Sequence, residues 1–389
     1  MCVTRTTLRK PKIDLTEAEF QSGLAALLAN APSNSVRESA FFSVRANQPP
    51  WFDTGLDLHA GEQVTVFVVG QAILSQDLNL WFHPDMQLWY RIGDAGKIFR
   101  GTRNSHTFTA NESGRLFLGS YLPGEWSTHR GAIAVGTEAY RAMEGSLGVQ
   151  IIRWSAEPLA SLKRLLALGD VGSLLASEID RLEHAIQPPQ GWEYLWFLGP
   201  SEIYSVGEAA PSKRPSIACY THCDAAILHK DISVPLTKDT RLRWSWKVDA
   251  LPCDMPENVL QNHDYVSIAV EFDNGQDLTF FWSSQLPVDA GFRCPIPTWT
   301  ARETHVVARS GTSDLGRWCD DERDLFSYYE RFVGTIGKLD DEHDPRVVAP
   351  PTKVVRVWLI ANTMFKQKEG RCEFGAIELI SGNTVLTVN

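Results

Sequence analysis

Cysteine and histidine side chains gather once in the middle of the chain, at Cys219, His222 and Cys223. Thiolate and imidazole are ligands that zinc prefers, but a structural zinc site needs a fourth ligand at a compatible spacing. The cysteines that follow stand singly in the sequence, at Cys253, Cys294 and Cys319. Isolated cysteines are most often buried thiols, so we expect no metal.

Acid–base chemistry has three further candidates: carboxylate runs at residues 320–322 and 340–344, and His83 near Trp81 and Trp89. A neutral imidazole suits proton transfer near pH 7. Consecutive carboxylates in a loop are more often solvated surface, however, and a lone histidine is more often structural. We find no nucleophile elbow, phosphate-binding glycine loop, His-Glu-x-x-His pair or dinucleotide fingerprint, so hydrolase, kinase and dehydrogenase chemistry have no support.

The most informative feature of the sequence is its thirteen tryptophans. Strand alternation points Trp244 and Trp246 to the same side, and for any one such ring burial in the core is the usual outcome. So many large rings nevertheless favour at least one pocket with aromatic walls, which suits a flat, apolar, π-rich ligand. The rings that we expect to bind this ligand are Trp244, Trp246, Trp282 and Trp358.

Polar residues that alternate with these apolar positions supply candidate catalytic groups. His263 and Asp264 stand at a strand entrance, where they could transfer protons. The donors that could meet charge developing on a carbonyl-like oxygen are Lys247, Tyr265 and Arg356. We expect Arg243 and Asn362 to help bind the substrate, although Arg243 and Lys247 simply face solvent in the alternative interpretation.

Hydrophobic periodicity predicts the elements that position these residues. A capping box at Thr16 and Glu19 predicts one helix over about residues 15–30. Short apolar runs separated by glycine-rich turns then predict strands up to residue 152, and helical spacing returns between Pro158 and Ile186. From about residue 230 onward, apolar and polar residues again alternate as in strands that bury one face.

These elements predict a mainly β protein with two antiparallel, jelly-roll-like β-sandwiches joined by a short helical connector. The expected divisions are an N-terminal arm with one helix (1–48), a first sandwich (49–156), the helical connector (157–191) and a second, larger sandwich (192–389). A chain of 389 residues is long enough for two domains with a core each.

The composition indicates which binding partners and which cell compartment to expect. The chain has 47 acidic against 37 basic residues and no basic patch, so we expect no nucleic-acid partner. No apolar run approaches the length of a membrane span, and the first residues have no apolar core of a secretory signal. Seven cysteines, an odd number at irregular spacing, predict reduced thiols in a cytoplasmic protein. The oligomeric state, including a homo-oligomer, stays open.

The first half resembles the galactose-binding bacterial lectin family and its sandwich relatives over about residues 50–154. The resemblance rests on the segments WFDTG (51–55), AGE (60–62), LWYRIG (88–93), FTANESG (108–114) and RLFL (115–118). It implies a sandwich fold and a calcium-bridged sugar site in an Asp/Asn-rich loop after residue 118. The segment that stands there, GSYLPGEW (119–126), has no Asp or Asn, and calcium needs six to eight oxygen ligands. We therefore expect the fold without the lectin chemistry.

The second half is similar to a widespread sandwich family of unknown function, through LRWSWKV (242–248), DYVSIAV (264–270), FWSS (281–284) and VRVWLIAN (355–362). Taken as a whole, the pairing of domains resembles the fungal pericyclases that make tropolone sesquiterpenoids. That resemblance implies a cofactor-free hetero-Diels–Alder reaction between a quinone-methide-like diene and a terpene olefin, with small apolar molecules as partners and a preceding dehydration. The alternative from another class is a carbohydrate-binding, lectin-like protein without catalytic activity.

Overall fold

The computed structural model describes residues 8–11, 13–32, 34–134, 136–207, 215–334 and 349–389. The chain divides into two compact units, one of Met1–Ile186 with Trp196–Ser201 and the other of Gln187–Leu195 with Glu202–Asn389. Both units are built mainly from antiparallel strand pairs, with one parallel pair in the second unit and few helices, which confirms the mainly β fold class.

The described residues of the first unit form three sheets. Its strands are β1 (Val36–Arg45), β2 (Trp51–Leu58), β3 (Gln63–Gly70), β4 (Ala72–Ser75), β5 (Leu80–Phe82), β6 (Leu88–Ile92), β7 (Ser105–Thr109), β8 (Gly114–Ser120) and β9 (Ser146–Trp154). A four-stranded sheet has the order β1-β9-β3-β7, a three-stranded sheet has the order β2-β8-β6, and β4 pairs with β5. Alternate apolar residues of β3 and β9 pack against those of β6 and β8, which places one core between the two larger sheets.

Strand β1 lies within residues 1–48, for which the sequence predicted only an arm with one helix. It pairs with β9 from Val36 opposite Trp154 to Arg45 opposite Ser146, and it forms an edge of the four-stranded sheet. Most of its residues are partly or fully exposed, as suits an edge strand, so its hydrophobic pattern is weak.

Helices cover the other face of this sheet. The main ones are α1 (Glu17–Ala29), α3 (Pro158–Leu166) and α4 (Leu174–Glu183); α2 (Pro84–Gln87) and the 3-10 turn Thr137–Tyr140 are short. Thr16 and Glu19 form the expected capping box at the start of α1. Phe20 of α1 and Leu162 of α3 join one apolar cluster with Phe67 of the sheet. The two helices expected as a connector therefore pack within the first unit.

The second unit is a sandwich of two larger sheets. Its strands are β10 (Glu193–Tyr194), β11 (Tyr204–Val206), β12 (Ile217–His222), β13 (Ala225–Pro235), β14 (Arg241–Ala250), β15 (Tyr265–Phe272), β16 (Asp277–Ser283), β17 (Gly291–Arg293), β18 (Glu303–Ser310), β19 (Trp318–Asp324), β20 (Lys353–Asn362), β21 (Glu369–Ser381) and β22 (Thr384–Thr387). One sheet has the order β10-β13-β20-β15-β16-β18-β17; the other has the order β11-β12-β21-β14-β19, with β22 beside β21. The short helices are α5 (Leu325–Tyr328), the 3-10 turn Leu260–Asn262 and the π-helix Tyr329–Gly334.

Both faces of the seven-stranded sheet are buried along β15 and β16, where every residue is at most 8% exposed. The inner face contributes Val266, Val270 and Phe280 to the core between the sheets. Strands β16 and β18 run parallel, and parallel neighbours require a long crossover connection. Residues 284–302 form this crossover, and side chains from it contact the outer face. No helix among the described residues is long and apolar enough to cross a membrane.

Candidate functional site

The outer face of the seven-stranded sheet carries a row of charged residues across four strands. Arg356 of β20 pairs with Glu271 of β15, Glu271 with Asp277 of β16, and Asp277 with Glu303 of β18. Residues directly opposite each other on neighbouring strands share a face and have adjacent side chains. The fold therefore brings Asp277 and Glu303 side by side, although 26 residues separate them in the sequence.

The carboxylate of Glu303 is the centre of a buried polar cluster, which we call the outer-face cluster. Its members are Tyr265, Asp277, Thr279, Glu303 and His305, together with His263 and Cys294. Oε1 of Glu303 accepts hydrogen bonds from the Tyr265 hydroxyl at 3.4 Å and the Thr279 hydroxyl at 3.3 Å, and it lies 3.4 Å from Nε2 of His305. All of these residues are at most 3% exposed. Oδ2 of Asp277 makes no hydrogen bond among the described residues and lies 3.9 Å from Nε of Arg302.

The surroundings shift the pKa values of the two carboxyl groups, Asp277 and Glu303, in opposite directions. Burial raises the pKa of Asp277 well above its usual range, and the negative charge of Glu303 raises it further. Burial also opposes ionisation of Glu303, but the charge and hydrogen-bonding capacity of His305 outweigh it, so the pKa of Glu303 is lowered. One buried carboxyl thus tends to hold a proton while its neighbour tends to lose one.

His263 reaches the same cluster from the loop before β15. Its Nδ1 lies 2.7 Å from the backbone oxygen of Glu257, and its Nε2 lies 3.5 Å from Sγ of Cys294. Its ring centroid is 4.6 Å from that of His305 and 4.8 Å from that of Tyr265. Burial lowers the pKa of His263 to about 3, so the ring is neutral at physiological pH.

The crossover forms an apolar cover over these groups. The Phe292 ring stacks on His305, with centroids 5.3 Å apart and planes 10° apart. Trp299 meets Trp358 of β20 edge to face at 6.2 Å, and the guanidinium of Arg302 lies 5.2 Å from each of these two indoles. The cluster is therefore enclosed by aromatic rings, with Arg302 at its rim.

Five of the residues that the sequence singled out lie in or next to the buried cluster. His263 and Tyr265 belong to the cluster, Trp358 lies under the crossover, and Asn362 donates from Nδ2 to the backbone oxygen of His263 at 2.8 Å. Asp264 is buried next to His263, where its oxygens accept from the backbone amides of residues 365 and 366 at 3.0 and 2.5 Å. Burial raises the pKa of Asp264 to about 7.

The remaining charged residues that the sequence singled out are Arg356, Arg243 and Lys247. Arg356 lies at the margin of this face, where it binds Asp231 at 2.6 Å and Glu271 at 3.0 Å. Arg243 and Lys247 lie on the six-stranded sheet and are partly exposed, and Arg243 pairs with Glu322 at 2.7 Å. Their positions match the alternative interpretation that both face solvent.

Three of the four candidate tryptophans fill the core between the sheets. Trp244, Trp246 and Trp282 are at most 1% exposed, and the Trp246 and Trp282 rings lie 5.5 Å apart. The indole of Trp246 donates to Asp321 at 2.9 Å, and that of Trp282 donates to the backbone oxygen of Gly311 at 2.9 Å. The structure does not bring these three rings to the outer-face cluster, and their role in ligand binding stays a prediction.

The sequence reasoning missed Asp277, Thr279, Glu303 and His305, and it set Cys294 aside as an isolated thiol. A signal was present, because Asp277-x-Thr279 and Glu303-x-His305 both place alternating polar residues at the start of strongly apolar strands. Polar residues at period two within a buried strand indicate a polar cluster on one face. The crossover that adds Cys294 could not be read from this pattern.

The remaining candidate motifs have structural partners or lie outside the description. Cys219 of β12 lies opposite Cys372 of β21. Within the carboxylate run on β19, Asp321 binds Arg309 at 2.6 Å. The second run, residues 340–344, lies outside the described residues. His83 packs against Trp81, with ring centroids 4.7 Å apart.

In the first unit, aromatic residues occupy the segment where the lectin resemblance would place a calcium loop. Tyr121 lies 4.3 Å from Trp126 and 5.1 Å from Tyr140 between ring centroids. The Tyr140 hydroxyl donates to Glu125 at 2.5 Å. A separate cavity of about 460 Å³ lies between α1 and β1, and its described lining contains no titratable residue. Among the described residues, the one group of three or more His, Cys, Asp or Glu side chains arranged to hold an ion lies in the second unit.

Part of the second half of the chain matches a known family model. Residues 190–378 match the family DUF3047, described as a protein of unknown function. The DUF3047 match covers the whole outer-face cluster but names no activity for it. No curated protein matches the chain.

Comparison with solved structures finds several distant matches, among them three proteins that are described as a lectin, a xyloglucanase and carbohydrate-binding modules. The N-terminal domain of EclA, a PllA-like lectin, is similar at 20% identity over 31% of this chain and 99% of that chain, with a TM-score of 0.23. The xyloglucanase domain of NopAA, a type three effector from Sinorhizobium fredii, is similar at 10% identity over 52% of this chain and 96% of that chain, with a TM-score of 0.27. A carbohydrate-binding module of the β-sandwich superfamily is similar at 9% identity over 90% of this chain and 100% of that chain, with a TM-score of 0.22. At these TM-scores we draw no conclusion about this protein from them.

Proposed function

We propose that the second unit is an enzyme that transfers protons on a small apolar molecule at the outer-face cluster. The observation that carries this proposal is the side-by-side placement of Asp277 and Glu303 beneath an aromatic cover. Paired carboxyl groups can act as acid and base on one substrate when the surrounding side chains hold them in place. Hydroxyl donors from Tyr265 and Thr279 hold Glu303.

The contacts of each carboxyl group support a different role for it in the proposed reaction. Oδ2 of Asp277, which makes no hydrogen bond among the described residues, is the group that can donate a proton to a leaving hydroxyl. Glu303, which already accepts hydrogen bonds from two hydroxyls, is the group that can accept one. In a dehydration, Asp277 protonates the hydroxyl, the carbon–oxygen bond breaks to release water, and Glu303 takes a proton from the other end of the conjugated system. The proton on Glu303 then returns to Asp277, so the overall reaction is the loss of one water.

This reaction agrees with the pericyclase resemblance. Loss of water from a hydroxymethyl tropolone would give a quinone-methide-like diene, which a terpene olefin could then trap in a hetero-Diels–Alder reaction. Holding the two partners in a near-attack pose can lower the barrier by several kcal/mol without a cofactor. The cluster residues are at most 3% exposed, so a substrate must displace part of the crossover to reach them.

The direct test is to incubate the purified protein with a hydroxymethyl tropolone and a cyclic terpene olefin. We expect a product whose mass equals the sum of the two minus water, detected by chromatography and mass spectrometry. Asp277→Asn and Glu303→Gln should each reduce its formation by about 100-fold or more. Asp320→Asn, at an exposed position on β19, is the matched control and should retain activity. Full activity in both cluster variants, with folding verified by circular dichroism, would contradict the proposal.

The rival function, sugar binding without catalysis, makes a different prediction for thermal unfolding. A ligand that binds only the native state raises the melting temperature. Under our proposal, tropolone or terpene ligands should raise it, whereas galactose with calcium should not. Stabilisation by galactose and calcium alone would favour the carbohydrate-binding alternative.

A further inference from the structure

Three metal-ligating side chains converge inside the outer-face cluster. His263, Cys294 and His305 each offer one ligand atom, and these atoms all lie within 4.8 Å of one another. All three side chains are fully buried. They come from three separate segments: the loop before β15, the crossover just after β17, and strand β18.

We propose that these three residues bind a divalent transition-metal ion of the zinc class. Zinc takes imidazole nitrogen at about 2.0–2.1 Å and thiolate sulfur at about 2.3 Å, and tetrahedral ligands at these lengths lie about 3.5 Å apart. Nε2 of His263 lies 3.5 Å from Sγ of Cys294. The nitrogen and the sulfur therefore already have the separation that a shared zinc ion requires.

The hydrogen bond on the far side of His263 prepares its ring to bind a metal. Nδ1 lies 2.7 Å from the backbone oxygen of Glu257, a group that can only accept, so Nδ1 carries the proton. In a neutral ring this leaves the lone pair on Nε2, which faces Cys294. A backbone carbonyl on the second nitrogen is the usual support of a metal-bound histidine.

His305 supplies the second, independent indication of a missing ligand. Its Nδ1 makes no hydrogen bond among the described residues, and its Nε2 has only the ion-pair contact with Glu303, although the ring is completely buried. A buried polar group without a partner is costly, and coordination to a metal would remove that cost. Nε2 lies 3.4 Å from Oε1 of Glu303, so this carboxylate borders the fourth position of the site.

Three protein ligands with a fourth position beside a carboxylate is the arrangement of catalytic rather than structural zinc sites. The metal would also tie the crossover to the sheet, because Cys294 and His305 belong to different segments. The site stands on its own geometry and goes beyond the proposed proton transfer, so either can fail without the other.

The test uses the full chain and cobalt as the probe. The protein, freed of metal by a chelator and returned to chelator-free buffer, should bind about one Co²⁺ with a thiolate-to-cobalt absorption band, and Zn²⁺ should displace it. Elemental analysis of protein expressed in zinc-supplemented medium should find a similar amount of zinc. Added Zn²⁺ should raise the melting temperature.

Matched variants separate loss of a ligand from loss of fold. Cys294→Ser should abolish the thiolate band, and His305→Gln should weaken binding at least about tenfold, with native circular dichroism in both. Cys319→Ser, at a partly exposed cysteine outside the cluster, should leave the band and the affinity unchanged. Folded wild-type protein that binds no Co²⁺, or a thiolate band that survives in Cys294→Ser, would overturn the metal site. Catalytic activity in metal-free protein would leave the proposed function standing.

Discussion

At the scale of single residues, buried charges are tolerated where they are paired. Arg153 of β9 binds Glu62 through two contacts of 2.5 and 2.8 Å, and it also binds Glu38 at 2.5 Å. Arg153 and Glu62 are both buried. The side-chain hydrogen bond from Arg153 is the main cause of the lowered pKa of Glu62. If either Arg153 or Glu62 were removed, the other would therefore remain as a buried charge without its partner.

Arg153→Met should lower the free energy of unfolding by about 3 kcal/mol, because Glu62 would remain buried and charged without its main partner. Urea unfolding followed by circular dichroism measures this change. The double variant Arg153→Met with Glu62→Gln should recover part of the loss. A single variant as stable as the wild type would show that solvent reaches Glu62 more freely than its burial indicates.

A second residue, His106, should make the stability of the folded protein depend on pH. His106 of β7 is half-buried among aromatic rings, and loss of solvent around it, with the nearby charge of Arg181, lowers its pKa to about 4 from 6.5. The unfolded state therefore binds more protons than the native state between these two pH values. The stabilising contribution is complete above pH 6.5 and is lost as the pH falls towards 4, by up to about 3 kcal/mol.

His106→Phe should keep the ring packing and flatten the pH dependence between 6.5 and 4. Chemical unfolding at a series of pH values measures the slope. His59→Phe makes the same exchange at an exposed position and serves as the control. An unchanged slope in His106→Phe would contradict the assigned cause.

At the scale of elements, the crossover between β16 and β18 decides what the outer face can do. It supplies Phe292, Cys294 and Trp299 to the cluster, and its strand β17 pairs with β18. The approach is close at Gly291, where an added Cβ would lie 2.3 Å from the Phe332 ring. The position of the crossover therefore depends on a residue without a side chain.

Gly291→Ala should destabilise the second unit by about 1–3 kcal/mol, because the Phe332 ring or β17 must move to make room. It should also reduce Co²⁺ binding, since Cys294 follows three residues later. Thermal unfolding and the cobalt titration measure the two effects. Gly334→Ala, where the nearest atom would be 3.7 Å away, is a matched control. Wild-type stability in Gly291→Ala would show that the crossover shifts freely.

At the scale of the whole molecule, composition and periodicity were sufficient for the fold class. Apolar runs at period two, with glycine-rich turns between them, predicted antiparallel sandwiches, and the structure confirms a mainly β fold. The capping box located the start of α1 correctly. These features depend on neighbours in the sequence, which is why they could be recognised without a structure.

The candidate site was predictable only in part. His263 and Tyr265 could be predicted, because a histidine and a tyrosine next to an apolar strand can be recognised from their neighbours in the sequence. Their partners Asp277, Glu303 and His305 come from strands whose parallel pairing has no local signature.

The sequence by itself determined the strands, the capped helix and the supply of tryptophan, since each follows from residue type and spacing. The tertiary structure alone decided which polar residues meet. It placed most candidate indoles between the sheets and joined a cysteine, two histidines and two carboxyl groups on the opposite face. The physical reason is that strand order and the path of the crossover are set by packing of the whole unit, and this packing brings together residues far apart in the sequence.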